Sequence, residues 1–315
     1  MSQDRTHDFN ADDFPSQWMQ PSDLYGWKAV LASALPYLLL LAIAPALARK
    51  RAYAPWLLSP LIGLYAYRMT LVMHDCIHRT LFKDAVLNER LGTTLGAMTG
   101  IDFQRFASQH RHHHRSFGER DDPQGFHYLD LGSRNVCEKV WHLVKPLLGF
   151  NLTYALPESL IAPHNLARAL RRGEGLLFVA AQLCIAALVT GGGRTLTLAI
   201  LPPVSAATFG LFLSQLRGIA EHAAIGQRQA GCVRTHAPHW LDRLLLYDLN
   251  FNYHEEHHQF PGIPSRYLPE VHRAIHNHEG PPPASMLRTI AAVLSSDPRN
   301  RVSGEEARNR RSPLE

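Results

Sequence analysis

The sequence predicts an all-α integral membrane protein: four transmembrane helices in two hairpins, with a polar helical cap on one side. Two observations carry this. Four long apolar runs fall in two tight pairs, at residues 29–48, 54–73, 175–193 and 195–216. The polar segments after each pair, 74–174 and 217–278, hold a marked excess of histidine among the 19 in the chain. A run of about 20 apolar residues matches the hydrocarbon thickness of a bilayer. Hydrophobic residues make up 46% of the 315 and charged residues 19%, which excludes a disordered chain. The four cysteines, Cys76, Cys137, Cys184 and Cys232, are scattered without a C-x-x-C pair. That spacing fits neither a disulfide framework nor a thiolate zinc finger.

The first run has no charge between Lys28 and Arg49, and the second holds only Arg68. A charge at that depth marks function, and snorkelling to the interface accounts for it equally. The third and fourth runs carry none and are separated by Arg194. Pro36, Pro45, Pro60, Pro202 and Pro203 are compatible with spanning, because neighbouring helices re-satisfy the freed backbone groups. The amino end is acidic and has no basic region leading into a short apolar core, so no cleavable signal is expected. If each pair crosses and returns, 74–174 and 217–278 share a side. With 13 Lys/Arg in 74–174 and 12 in 217–315, against three and one at the hairpin tips, that side is expected to be cytoplasmic. The basic first tip, Arg49-Lys50-Arg51, runs against this tendency. Stretches 84–100 and 143–162 read as interfacial or re-entrant, the second broken by Lys145, Pro146, Pro157 and Glu158. Residues 279–315, rich in Pro, Arg, Ser and Glu, read as a fraying tail, so the whole is taken as one domain.

The chemistry lies in the polar parts. His74 and His78 bracket HDCIH at i, i+4, which places both rings on one helical face. In HRHHH (110–114), His110, His113 and His114 share a face at i, i+3, i+4, while His112 points elsewhere. In HEEHH (254–258), His254, His257 and His258 repeat that spacing. One such pair is weak; three clusters in one chain are specific. A structural zinc uses four ligands and a catalytic zinc three, so eight imidazoles imply two metals. Imidazole suits zinc, copper, iron and nickel alike, which leaves the ion open. The scarcity of thiolate argues against an iron–sulfur cluster. Few carboxylates accompany the clusters, which leans toward redox work over two-metal hydrolysis. Asp75, Glu221, Glu255 and Glu256 are placed to accept the second N–H of a ligand histidine, and Asp121 and Asp122 to do the same or to shape the turn before Pro123. His127, His142, His164, His236, His239, His272, His276 and His278 have no partner at ligand spacing and read as ordinary histidines. Cys76, inside HDCIH, reads as a small buried filler.

In this order, after paired apolar runs, HDCIH, HRHHH and HEEHH resemble the three boxes HxxxH, HxxHH and HxxHH of the membrane fatty acid desaturases and their hydroxylase relatives. The likeness runs from about Pro55 to His272, and NYHEEHHQFPGIPSRYLP resembles the family's third box with its trailing prolines. That resemblance implies that the boxes hold two non-heme irons through His74, His78, His110, His113, His114, His254, His257 and His258. It implies, through the Glu-His pair in RGIAEHAA, that His222 is the ninth ligand. By the same likeness dioxygen is the co-substrate, and a lipid or acyl chain loses two hydrogens to leave a double bond. Oxygen rebound would instead make a hydroxylase or ketolase, and a small non-lipid metabolite is the other alternative. The chain has no heme, flavin or nucleotide motif, so electrons come from an external ferredoxin or cytochrome; no feature points to nucleic acid. The acyl-CoA branch has an Asn four residues before the His222 position, where this chain has Gly218, leaving Asn250 and Asn252 as substitutes or local caps.

Overall fold

In a computed structural model the described residues are 9–160, 162–172, 180, 184, 187, 194–224, 232–237, 239–246, 249–276 and 283–296. They are helical, with no strand among them, only isolated bridges Ile101–Ser159 and Thr235–Tyr253. Among the described residues three helices are long and apolar enough to cross a membrane: Asp23–Lys50, Ala54–His78 and Thr195–His222. They contain the first, second and fourth apolar runs. The third run, 175–193, lies almost entirely outside the described residues, so the four-helix arrangement is an expectation from sequence.

Helix α1 (Asp23–Lys50) starts where the Ser22 hydroxyl accepts from the Tyr25 amide and ends on Arg49 and Lys50. Its Leu31, Leu35, Leu39 and Ile43 are exposed while Tyr37, Leu41, Ala44 and Ala48 are buried. An apolar residue on both faces is what a helix between protein and lipid requires. Helix α2 (Ser59–His78) is mostly buried and carries HDCIH at its C-terminal end. Arg79, at φ 59°, ends it in the left-handed conformation. The stretch 84–100 forms α3 (Ala85–Thr99), stopped by Gly100 at φ 80°. Asp102 caps α4 (Phe103–Ser116) through the Arg105 amide at 2.8 Å and also pairs with Arg168 at 3.0 Å. In the stretch 143–162 the helix Val136–Val144 ends, and from Lys145 to Leu160 the chain forms only short turns, Lys145–Leu148, Leu152–Ala155 and Leu156–Glu158, because Pro146 and Pro157 interrupt it.

The third long helix has two parts. α5 (Thr195–Ser205) contains Pro202 and Pro203, which lack amide hydrogens; a π-turn over Ala206–Gly210 comes next, and α6 (Leu211–His222) completes the span. Its approach to α2 is close: a Cβ on Gly63 would stand 2.5 Å from Phe209 Cβ and 2.7 Å from the Ser205 carbonyl oxygen. Ser59 and Ser205 hydroxyls bond across this contact at 2.6 Å. Small residues with a buried hydroxyl pair suit helix association in lipid.

HEEHH forms the short helix α7 (His254–Gln259), entered through Leu249 and Asn250, both at positive φ. Helix α8 (Leu268–His276) comes after the proline-rich turn. Near the amino end, Phe14 meets Phe260 edge-on at 5.0 Å, over a cluster with Ile263, Val271 and Ile275. The stretch read as a fraying tail contains α9 (Met286–Ser295), whose Met286 and Val293 are fully buried. Buried Lys139 donates from Nζ to the Val293 carbonyl at 3.1 Å and to the Ser296 carbonyl at 2.6 Å. Apolar residues at helical spacing within MLRTIAAVLS make this segment pack.

Candidate metal centre

The ends of α2, α4, α6 and α7 meet, and the eight box histidines and His222 converge there. His74, His78, His110, His114 and His257 each place a ring nitrogen within 4.8 Å of the others. His113, His222 and His258 form a second such group, and Glu221, His222 and His254 a third that shares His222. The nine therefore divide into a set of five and an adjoining set of four. Nε2 of His110 lies 2.9 Å from Nε2 of His78 and 3.0 Å from Nε2 of His114. His257 Nε2 is 3.2 Å from His114 Nε2, and His254 Nε2 is 3.1 Å from His222 Nε2.

The donor chemistry fits a pair of metal ions. Both ring nitrogens of His74, Nε2 of His113, Nδ1 of His222 and Nε2 of His258 are buried without a hydrogen-bond partner. Such orphans cost roughly 1–3 kcal/mol each unless something accepts their lone pairs. Burial, then the neighbouring imidazoles, holds His110, His254, His257 and His258 well below the usual histidine range, and His114 down at about 3. The rings are neutral at physiological pH, which is the form that ligates.

Carboxylates outside the boxes orient the rings. Asp122 accepts from His113 Nδ1 at 2.9 and 3.0 Å, from the Gln124 amide at 2.8 Å and from the Tyr128 hydroxyl. Burial draws its pKa upward, but the His113 and Tyr128 contacts outweigh that and hold it below the usual carboxylate value. Glu221 sits 3.4 Å from His254 Nε2 and accepts from Arg217 Nε at 2.6 Å. Asp75 instead accepts from the Ser265 hydroxyl at 2.6 Å. Asp121 reaches only exposed His112, at 3.2 Å. Arg68 lies over the Tyr65 ring at 5.7 Å, and Cys76 is buried. Asn252 donates to the His236 carbonyl at 3.0 Å and Asn250 to that of Ser265 at 3.3 Å, so both are engaged locally.

Several histidines read as ordinary take part in buried networks. His127 Nδ1 is 2.9 Å from Gln215 Oε1, and His142 Nε2 donates to the His127 carbonyl at 2.9 Å. The His127 ring fills the space beside Gly218: a Cβ there would stand 2.7 Å from His127 Cβ. No longer side chain fits at that position, which explains why no asparagine stands there. Gly218→Ala should destabilise the protein by about 1–3 kcal/mol through overpacking. Thermal unfolding beside Gly262→Ala, where nothing lies within 4 Å, would expose the error if both variants melted alike. His272 and His276, also read as unpaired, are themselves i, i+4 apart and both face Glu256.

A cavity, part of it open to solvent, is lined by His74, His110, His222 and His254 and, between α2 and α6, by residues as far as Ile101 and Tyr154. Ala66, Leu71, Phe106, Phe126 and Leu211 make much of its wall apolar. Glu158 also lines it, and burial pushes its carboxyl up to about 7 despite Arg105. A carboxyl whose folded-state pKa is raised favours folding below its ordinary value of 4.5. That contribution is lost as pH rises through about 7. Glu158→Gln should therefore unfold at a higher temperature than the parent at about pH 8, with the gap closing toward about pH 4. A gap independent of pH in thermal scans would refute this.

The fatty acid desaturase family model matches residues 51–287. The chain is 26% identical over 251 residues to the sphingolipid delta(4)-desaturase DES1 of Xenopus tropicalis, covering 74% of this chain and 69% of that protein. The matched residues include all eight box histidines and His222: the chain belongs to the fatty acid desaturase family.

Proposed function

We propose that this protein is an oxygen-dependent di-iron oxidoreductase that introduces a double bond into a fatty acyl chain of a lipid. The observation that carries the reading is the convergence of nine buried or half-buried imidazoles beside a largely apolar cavity. In this reading His74, His78, His110, His114 and His257 serve one iron. His113, His222, His254 and His258 serve the other. Histidine suits several first-row metals, and family membership selects iron. Bound there, the irons supply dioxygen activation. The overall step removes two hydrogens from adjacent methylenes; with dioxygen, two electrons and two protons it yields an alkene and two waters.

The chain's own part is placement. Phe106, Phe126 and Leu211 hold an alkyl chain against the imidazoles and keep water out. Asp122 fixes the His113 tautomer by accepting from Nδ1. The relative's action on a sphingolipid supports a lipid substrate. The reading includes two transmembrane hairpins with the histidines on the cytoplasmic side, so that an acyl chain enters from the bilayer. An external ferredoxin or cytochrome docks from the cytosol and supplies the electrons.

Expression in a host of known lipid composition, with mass spectrometry of lipids and metabolites, tests this. New alkenes two hydrogens lighter than their precursors are expected. A gain of one oxygen would move the assignment to a hydroxylase. Full turnover by purified protein containing no iron would overturn the metal reading.

A further inference from the structure

A second cluster of ligating side chains lies outside the nine histidines. Glu256 is on α7, and His272 and His276 are one turn apart on α8. Their donor atoms lie within 4.8 Å of one another. His272 Nδ1 is 2.5 Å and His276 Nε2 3.5 Å from the same oxygen, Glu256 Oε1. The other oxygen accepts from the Thr235 hydroxyl, which fixes the carboxylate's orientation. The Glu256 side chain is 1% exposed, whereas His272 and His276 are 23% and 34% exposed, so one side of the cluster opens to solvent. Glu255 adds negative charge that His276 feels.

We infer that Glu256, His272 and His276 form a separate site for one divalent cation of the zinc type. Two imidazoles and one carboxylate, with a fourth position left to water, make an N₂O donor set that zinc and its neighbours accept. The two imidazoles disfavour magnesium and calcium, which take oxygen ligands. Tetrahedral bonds of about 2.0–2.2 Å set donor atoms about 3.4 Å apart. The His276–Glu256 separation already meets this, and His272 must withdraw by about 1 Å, toward its exposed side. A solvent-facing entry path and an anchored carboxylate complete what such a site needs. The site does not depend on which metal the boxes hold.

The test uses untagged, detergent-solubilised holoenzyme with its boxes already loaded. Cobalt(II) or zinc(II) is added, excess is removed by gel filtration, and iron and added metal are counted per chain. One extra cation with iron unchanged is expected, and cobalt should show visible ligand-field bands of a low-coordinate site. His276→Ala should weaken that binding by more than about tenfold while retaining iron. His272→Gln should do the same and decides the matter if His276→Ala does not fold. No added metal, added metal matched by lost iron, or equal uptake by parent and variants would leave only a proton-sharing clamp and overturn the site.

Discussion

Replacing His257 with Ala is expected to lower desaturation by more than about 100-fold and to reduce bound iron by about one per chain. His257 is only 2% exposed, and its ring centroid lies 4.4 Å from His74, 4.9 Å from His78 and 5.0 Å from His114. It is the one member of the five-histidine set supplied by α7; the others come from α2 and α4. Its removal therefore takes away the only donor that α7 gives to this set. The fold should survive, because the lost ring makes no hydrogen bond to backbone or carboxylate that α7 needs; its near partner is another imidazole nitrogen. Iron analysis and product mass spectrometry on purified protein check this, with thermal unfolding as the control. A variant that melts like the parent yet keeps full iron and full activity would show that His257 holds no metal.

Asp122→Asn should weaken iron retention and turnover by about 10–100-fold, the usual loss when a carboxylate that orients a ligating histidine is removed. Both carboxylate oxygens face His113 Nδ1, so the proton sits on Nδ1 and leaves Nε2 bare. That Nε2 is among the buried atoms without a partner. An amide has one acceptor and one donor group, and Tyr128 also requires an acceptor. The amide NH₂ would then face either Nδ1–H or the Tyr128 hydroxyl. Relief by moving the ring proton to Nε2 would block ligation at that atom. Tyr128→Phe leaves both oxygens to His113 and should cost far less. Equal iron retention by Asp122→Asn and the parent under chelator challenge would refute the argument.

The features legible in the sequence are local ones. HxxxH and HxxHH put rings on one face of one helix by backbone geometry alone, and the structure has α2, α4 and α7 at those places. Spans at 29–48, 54–73 and 195–216 were legible because length and lack of charge are properties of a single segment. The buried tail helix was obscured by the Pro- and Arg-rich residues around it. His272 and His276 read as ordinary histidines although they stand i, i+4 apart, and their turn toward Glu256 comes only from packing.

The order of residues was enough to name the candidate donors, the helices that bear the three boxes and the family they resemble. Three-dimensional packing was needed to divide the donors five and four, to give Asp122 rather than Asp75 the support of a box histidine, and to set His127 in the room beside Gly218. The difference is one of range. Periodicity fixes which side of a helix a residue occupies, whereas the partner across the gap is set by how the helices pack, through contacts far apart in sequence such as that of Gly63 on α2 with Phe209 in the π-turn.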